Sequence, residues 1–137
     1  GYVILIAGCP IVWKSKLQSL IALSTMESEY IALSTACREV VPLQALIQEI
    51  SAACQIPILQ NIQLKTSIWE DNAACHKLAN TKLPQMSPRS KHIAIRFHWF
   101  RQYVGKLFTV DPISTKIQLA DIFTKGLGEE KGGVGRR

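Results

Sequence analysis

Tyr2–Ala7 is apolar at nearly every position, the pattern of a strand covered on both faces. Gly8-Cys9-Pro10 reads as a turn, and IVWKSKLQSLIALS as a second, longer strand broken near Lys14–Lys16. From Ser24 the period becomes helical and holds at least to Arg38. Pro42 is expected to kink or restart that helix before LQALIQEISAA, and Pro57 to close it. Ile62–Trp69 reads as a third strand. DNAACHKLAN reads as a short helix opened by an Asp/Asn cap, and TKLPQMSP as loop. Ser87-Pro88 starts a helix that runs to Gly105, with Ile93, Phe97, Phe100 and Val104 on one face. Leu107–Val110 is a fourth strand, and Thr115 with Gln118 forms a capping box for a last helix through Lys125. Two strands, helix, strand, helix, strand, helix predicts a layered α/β domain over residues 1–127. Residues 128–137, GEEKGGVGRR, have nothing to pack and are expected to form a loose, disordered tail.

Composition narrows this picture only slightly. A chain of 137 residues, 47% apolar and 19% charged, is an ordinary globular domain. No stretch approaches the ~18 apolar residues of a membrane helix, and GYVILIAG lacks the basic leader of a signal peptide. Cys9, Cys37, Cys54 and Cys75 are scattered without a CxxC pair, as reduced and mostly buried thiols of an intracellular protein would be. His76, His92 and His98 have no zinc-like spacing. The net charge of +6 is unevenly spread: between Asp71 and Asp111 there is no acid, and Lys77, Lys82, Arg89, Lys91, Arg96, Arg101 and Lys106 all fall there. Such an interval suits a polyanion; the alternative is a basic solvated face.

The start of the first helix carries two glutamates with different environments. Ser24 and Glu27 fit an S-x-x-E capping box, in which the glutamate reaches back to the serine's own N–H. On a helical wheel Glu27 falls beside Ser34 and Arg38, on the polar side. Glu29 falls among Met26, Ala32, Leu33, Ala36 and Val40, in the middle of the apolar face. An unpartnered carboxylate there would cost several kcal/mol. It therefore needs either a buried cation partner or a metal site completed by other carboxylates. Asp71, just past a strand end, is a natural second carboxylate, or else the N-cap of the next helix. Asp121 by pattern alone passes as a solvated charge.

WKSKLQSLIALSTMESEYIAL, WEDNAACHKLAN, SPRSKHIAIRFHWFRQYV and QLADIFTKGL together resemble the ribonuclease H region of copia-type LTR-retrotransposon Pol polyproteins, in order and from Gly1 to about Leu127. The resemblance implies a ribonuclease H-like mixed sheet flanked by helices. The implied activity is magnesium-dependent hydrolysis of RNA in RNA–DNA hybrids during reverse transcription, with two Mg²⁺ ions held by acids. It assigns catalytic and metal-binding roles to Glu29, Asp71 and Asp121, and gives the seven basic residues above the hybrid's phosphates. The remainder of the Pol polyprotein, with its reverse transcriptase portion, would be a partner, in a cytoplasmic virus-like particle or the nucleus. In the family the first catalytic aspartate lies on a central strand ahead of the segment matching Gly1-Tyr2-Val3, between the strands matching Tyr2–Ala7 and Ile62–Trp69. Without that strand the sheet is expected to close imperfectly or to expose edges, and activity to be lost. Pro42 and the tail EEKGGVGRR also depart from the family pattern. The rival expectation is a degenerate remnant that binds nucleic acid or a partner without catalysis. Trp99, Tyr103 and His92 are expected to pack against neighbouring structure, with contact to sugars or bases as the alternative.

Overall fold

Two residues with positive φ, Ala7 (50°) and Gly8 (82°), close the first hairpin. A two-residue turn of this kind matches the right-handed twist of the strands it joins, and alanine in that region costs roughly 1 kcal/mol. The turn is therefore Ala7-Gly8, one residue earlier than the glycine–proline pattern suggested. It joins β1 (Tyr2–Ile6) to an antiparallel β2 (Cys9–Lys14). Ile4 faces Val12 but Leu5 faces Pro10, so Ile11 is the extra residue of a β-bulge. Strand β2 stops at Lys14. Beyond it Leu17 and Ile21 are each 92% exposed, so the long second strand expected from IVWKSKLQSLIALS does not form past that point.

This computed structural model describes residues 1–54, 64–82, 93 and 95–123. The chain divides into two units, Gly1–Leu17 with Leu119–Arg137, and Gln18–Gln118. In the smaller unit a 3₁₀ turn over Leu119–Phe123 accompanies the hairpin, and the Ser15 hydroxyl donates to the Phe123 carbonyl (3.4 Å). The Gln118 amide N–H donates to the Trp69 carbonyl (3.0 Å). The helix expected through Lys125 is a 3₁₀ turn in its described part, and Lys125 lies outside the described residues.

The larger unit is organised by α1 (Thr25–Ala53). Ser24 caps it from an extended backbone (φ −155°), its Oγ accepting the Glu27 N–H at 3.1 Å. The Glu27 carboxylate reaches back one residue further than a standard box, to the Leu23 N–H at 2.8 Å. Pro42 does not restart the helix, which runs through it without a break. Pro42 and Arg38, whose carbonyl loses its partner there, are both exposed, so water can satisfy the carbonyl. Tyr30, Ser34 and Cys37 are the fully buried centre of the inward stripe.

A two-stranded parallel sheet packs with this helix: β3 (Ser67–Glu70) beside β4 (Thr109–Pro112). Both strands are shifted towards the C-terminus relative to the hydropathy runs, and Ile62 and Pro57 lie outside the described residues. The Gln44 amide of α1 donates to Thr66 Oγ1 and to the Leu107 carbonyl (2.9 Å), tying the helix to the entry of both strands. Between the strands run α2 (Ala73–Ala79) and two 3₁₀ turns, Ile95–Phe97 and Trp99–Tyr103. The α-helix expected from Ser87 to Gly105 is thus 3₁₀ in its described part, and Ser87 and Pro88 lie outside it. Ile93, Phe97 and Phe100 are nevertheless buried, as their spacing predicted.

The two sheets are separate, β1 pairing only with β2 and β3 only with β4 among the described strands.

Inside the larger unit, a polar knot sits in the apolar core. The Tyr30 hydroxyl donates to His98 Nδ1 at 2.9 Å, and Arg101 Nη1 approaches the same nitrogen at 3.4 Å. Two donors on Nδ1 put the ring proton on Nε2. Burial, then the neighbouring Arg101 charge, holds His98 below the usual histidine range. Arg101, 5% exposed, also donates to the Thr81 carbonyl from Nε (2.9 Å) and Nη2, and to Lys82 O (3.3 Å). Trp99 donates from Nε1 to Ser34 Oγ (3.0 Å) and meets Tyr103 edge-on at 5.8 Å, so both rings pack as expected, while His92 lies outside the described residues. In urea unfolding Tyr30→Phe should cost about 1 kcal/mol, one hydrogen bond, and Arg101→Met roughly 3 kcal/mol because buried acceptors are left unmet. A wild-type midpoint for Arg101→Met would remove the knot from the account of stability.

Candidate functional site

Strand β3 ends at Glu70, and the chain turns through Asp71 and Asn72 into α2. The cap is Asn72: its Oδ1 accepts the N–H groups of Ala74 (3.0 Å) and Cys75 (3.1 Å). Of the two roles open to Asp71, capping is therefore taken by its neighbour, and Asp71 stands half-buried at the strand end.

Glu29 is half-buried in the first turn of α1. The stripe centres on Tyr30, Ser34 and Cys37, about a quarter turn from Glu29. Glu29 thus lies on the rim of the stripe, not in its middle, and the more buried acid is Glu27 at 8% exposure. The wheel misjudged the centre because it took Ser34 and Glu27 as marks of the solvent side. Ser34 is bonded to Trp99, and Glu27 to a backbone N–H, so both are buried with partners.

Between Glu29 and Asp71 lies an acid the sequence reading passed over. Glu70 is 7% exposed, and its Oε1 accepts the Asn72 N–H at 3.0 Å. Burial pushes its carboxyl up to about 7; the Asn72 N–H opposes this, and the charges of Glu29 and Asp71 add to it. The Cys75 thiol also bonds to Glu70, and burial with this acid raises Cys75 far above the usual thiol range. Period-two alternation from Ile68 would have aimed Glu70 inward, a signal available in the sequence. The charges of Glu29 and Asp71 thus both act on Glu70 in the larger unit, while Asp121 is half-buried in the 3₁₀ turn of the smaller unit. Among the described residues no three His, Cys, Asp or Glu side chains converge as a set that could hold a metal ion.

Of the seven basic residues, Lys77, Lys82, Arg96 and Lys106 are exposed. Arg101 is the exception, buried and spent on backbone carbonyls, so its place in a phosphate-binding face is corrected to a structural one. Arg89 and Lys91 lie outside the described residues. Cys37 and Cys75 are buried, Cys9 and Cys54 exposed, and all four are thiols. No described helix is long and apolar enough to cross a membrane.

Glu70 sets a pH dependence of known sign. Its folded pKa, about 7, lies above its ordinary 4.5, so the folded state binds the extra proton and Glu70's contribution is full below 4.5. That contribution is lost as pH rises through about 7. Glu70→Gln should therefore flatten the decline in stability between those values, measured by thermal unfolding across the range. An unchanged slope would mean that Glu70 is ionised in the fold.

No family model and no solved structure matches the chain. Among curated proteins it is 33% identical over 132 residues to the retrovirus-related Pol polyprotein from transposon TNT 1-94 of Nicotiana tabacum, an alignment covering 96% of this chain and 9% of the relative. It is 34% identical over 130 residues to the Pol polyprotein from transposon RE1 of Arabidopsis thaliana, and 33% to that from transposon RE2 of the same plant. Each of these alignments covers 93% of this chain and 8% of the relative. The chain therefore spans less than a tenth of the length of these relatives. It is homologous to one segment of the retrovirus-related Pol polyproteins of plant transposons.

Proposed function

We propose that this segment is the ribonuclease H portion of a copia-type retrotransposon Pol polyprotein. The family activity is hydrolysis of the RNA strand of RNA–DNA hybrids during reverse transcription. What supports the reading is that Glu29 and Asp71, the two family-matched acids of the larger unit, both act electrostatically on the buried carboxyl of Glu70. One opens the long helix and the other ends a parallel strand, where open α/β sheets bind ligands. Asn72 supports the reading by taking over the cap, since Asp71 is then not needed for the fold.

Magnesium enters this proposal as the cofactor of the complete domain. Among the described residues no three donors converge as a metal site, and Asp121 lies in the smaller unit. A second reading, a non-catalytic remnant that binds nucleic acid or a partner, rests on the exposed basic residues. Exposed Lys77, Lys82, Arg96 and Lys106 suit the phosphates of a hybrid under either reading, through a sequence-independent contact.

Two experiments test the proposal. Incubated with Mg²⁺ and a labelled RNA–DNA hybrid, this chain should give no cleavage; a longer version carrying an upstream aspartate-bearing strand should cleave, and Glu29→Gln should abolish it. A folded, extended chain that stays inactive would leave the remnant reading, and turnover by the present chain would show that its own acids suffice. Hybrid affinity should also fall with salt, the logarithmic slope growing by about 0.9 for each phosphate contacted. Lys77→Gln with Lys82→Gln should reduce that slope; a flat salt dependence would remove the basic interval from binding.

A further inference from the structure

Just past the Asn80 cap of α2, Thr81 is held at each of its polar groups. Its N–H donates to the Leu78 carbonyl (3.2 Å) and its hydroxyl to the Lys77 carbonyl (2.8 Å). Its own carbonyl accepts Arg101 Nε (2.9 Å) and Nη2. The same Nη2 also donates to the carbonyl of Lys82 (3.3 Å). One planar guanidinium therefore grips two successive peptide groups, which fixes their orientation as well as their position. Lys82 lies beyond the helix with its backbone tied into the core in this way, and the residue is exposed. Arg101 itself is buried, with Nη1 against His98 Nδ1 (3.4 Å).

We propose that Arg101 is a positioning residue for nucleic-acid binding: by clamping the Thr81 and Lys82 carbonyls it holds the backbone from which Lys82 contacts a phosphate. The inference rests on the phosphate contact proposed above for the exposed basic residues. A lysine on irregular backbone loses chain freedom as well as side-chain freedom when it meets a phosphate. The clamp removes the first of these losses before binding, because folding has already fixed the chain there. Lys77 receives the same support from α2, and the Thr81 hydroxyl links the backbones of the two lysines. Arg101 stays in the core and acts on the nucleic acid only through Lys82. Charge alone does not suffice for this role, since a lysine ammonium is a point charge and lacks the fork that spans both carbonyls.

A double-mutant cycle tests the proposal, with a labelled RNA–DNA hybrid and fluorescence anisotropy in EDTA, so that binding is read without cleavage. Lys82→Gln should weaken binding about fivefold and lower the logarithmic salt slope by about 0.9. Arg101→Lys keeps the charge and should weaken binding about fivefold by itself, but less than about twofold once Lys82→Gln is present. In a Lys106→Gln background it should keep its full effect. Equal loss in all three backgrounds would mean that Arg101 serves the fold alone, and overturns the proposal. A second readout leaves Arg101 unchanged and does not depend on that variant folding. In NMR spectra the Arg101 Nε–H resonance should shift as hybrid is added, and the shift should vanish in Lys82→Gln. A resonance that does not move, or a shift that survives Lys82→Gln, overturns the proposal. Absent or salt-independent binding by the unmodified chain removes the phosphate contact itself and this inference with it, whereas salt-dependent binding without coupling removes the inference alone.

Discussion

Arg101 is a full positive charge inside an apolar core, and the means by which that charge is satisfied organises the larger unit. Its guanidinium donates to the carbonyls of Thr81 and Lys82, just beyond the C-terminal end of α2, where the helix dipole favours a cation. Its remaining donors meet the His98 imidazole, which is fixed in turn by the Tyr30 hydroxyl. Helix α1, the end of α2 and the 3₁₀ segment are thereby joined at one point, among Ile93, Phe97 and Phe100. A buried polar network either satisfies its members or costs more than an apolar core would. The geometry here meets the demand of the guanidinium with backbone carbonyls, while His98 Nε2 is buried without a hydrogen-bond partner.

Negative charge is handled by three different means within the same unit. Glu27 is buried but accepts a backbone N–H, so it serves the start of α1. Glu70 is buried beside two other acids and responds by holding its proton to about pH 7. Glu29 and Asp71 stay half-buried at the ends of their elements, within electrostatic reach of Glu70. This division of labour makes the acidic end of β3 chemically distinct from an ordinary solvated surface. The third family-matched acid, Asp121, lies in the smaller unit, and among the described residues no three donors converge as a metal site.

Short sheets account for much of the remaining architecture. A parallel pair of four-residue strands has few ladder bonds, and side chains supply what further strands would. Gln118 donates to the Trp69 carbonyl, and His76 and Asn80 both donate to the Val110 carbonyl at 3.1 Å. Each of these devices satisfies backbone groups that a wider sheet would have paired.

Local chemistry wrote part of this protein directly into its sequence. Ser24 and Glu27 announce the start of α1, an unbroken apolar run marks β1, spacings of four and three mark the buried Ile93, Phe97 and Phe100, and the four ordered motifs carry the kinship to Pol polyproteins. What the sequence could not decide was which polar residues go inside. Ser34, Tyr30 and Arg101 are buried because Trp99, His98 and the carbonyl of Thr81 reach them from 20 to 68 residues away. The Pro42 break failed for a related reason, since an unpaired carbonyl matters only where water is excluded. Helical periodicity and capping depend on neighbours within a turn and are legible one residue at a time. Burial of a polar group depends on a partner far along the chain, and only the tertiary structure supplies it.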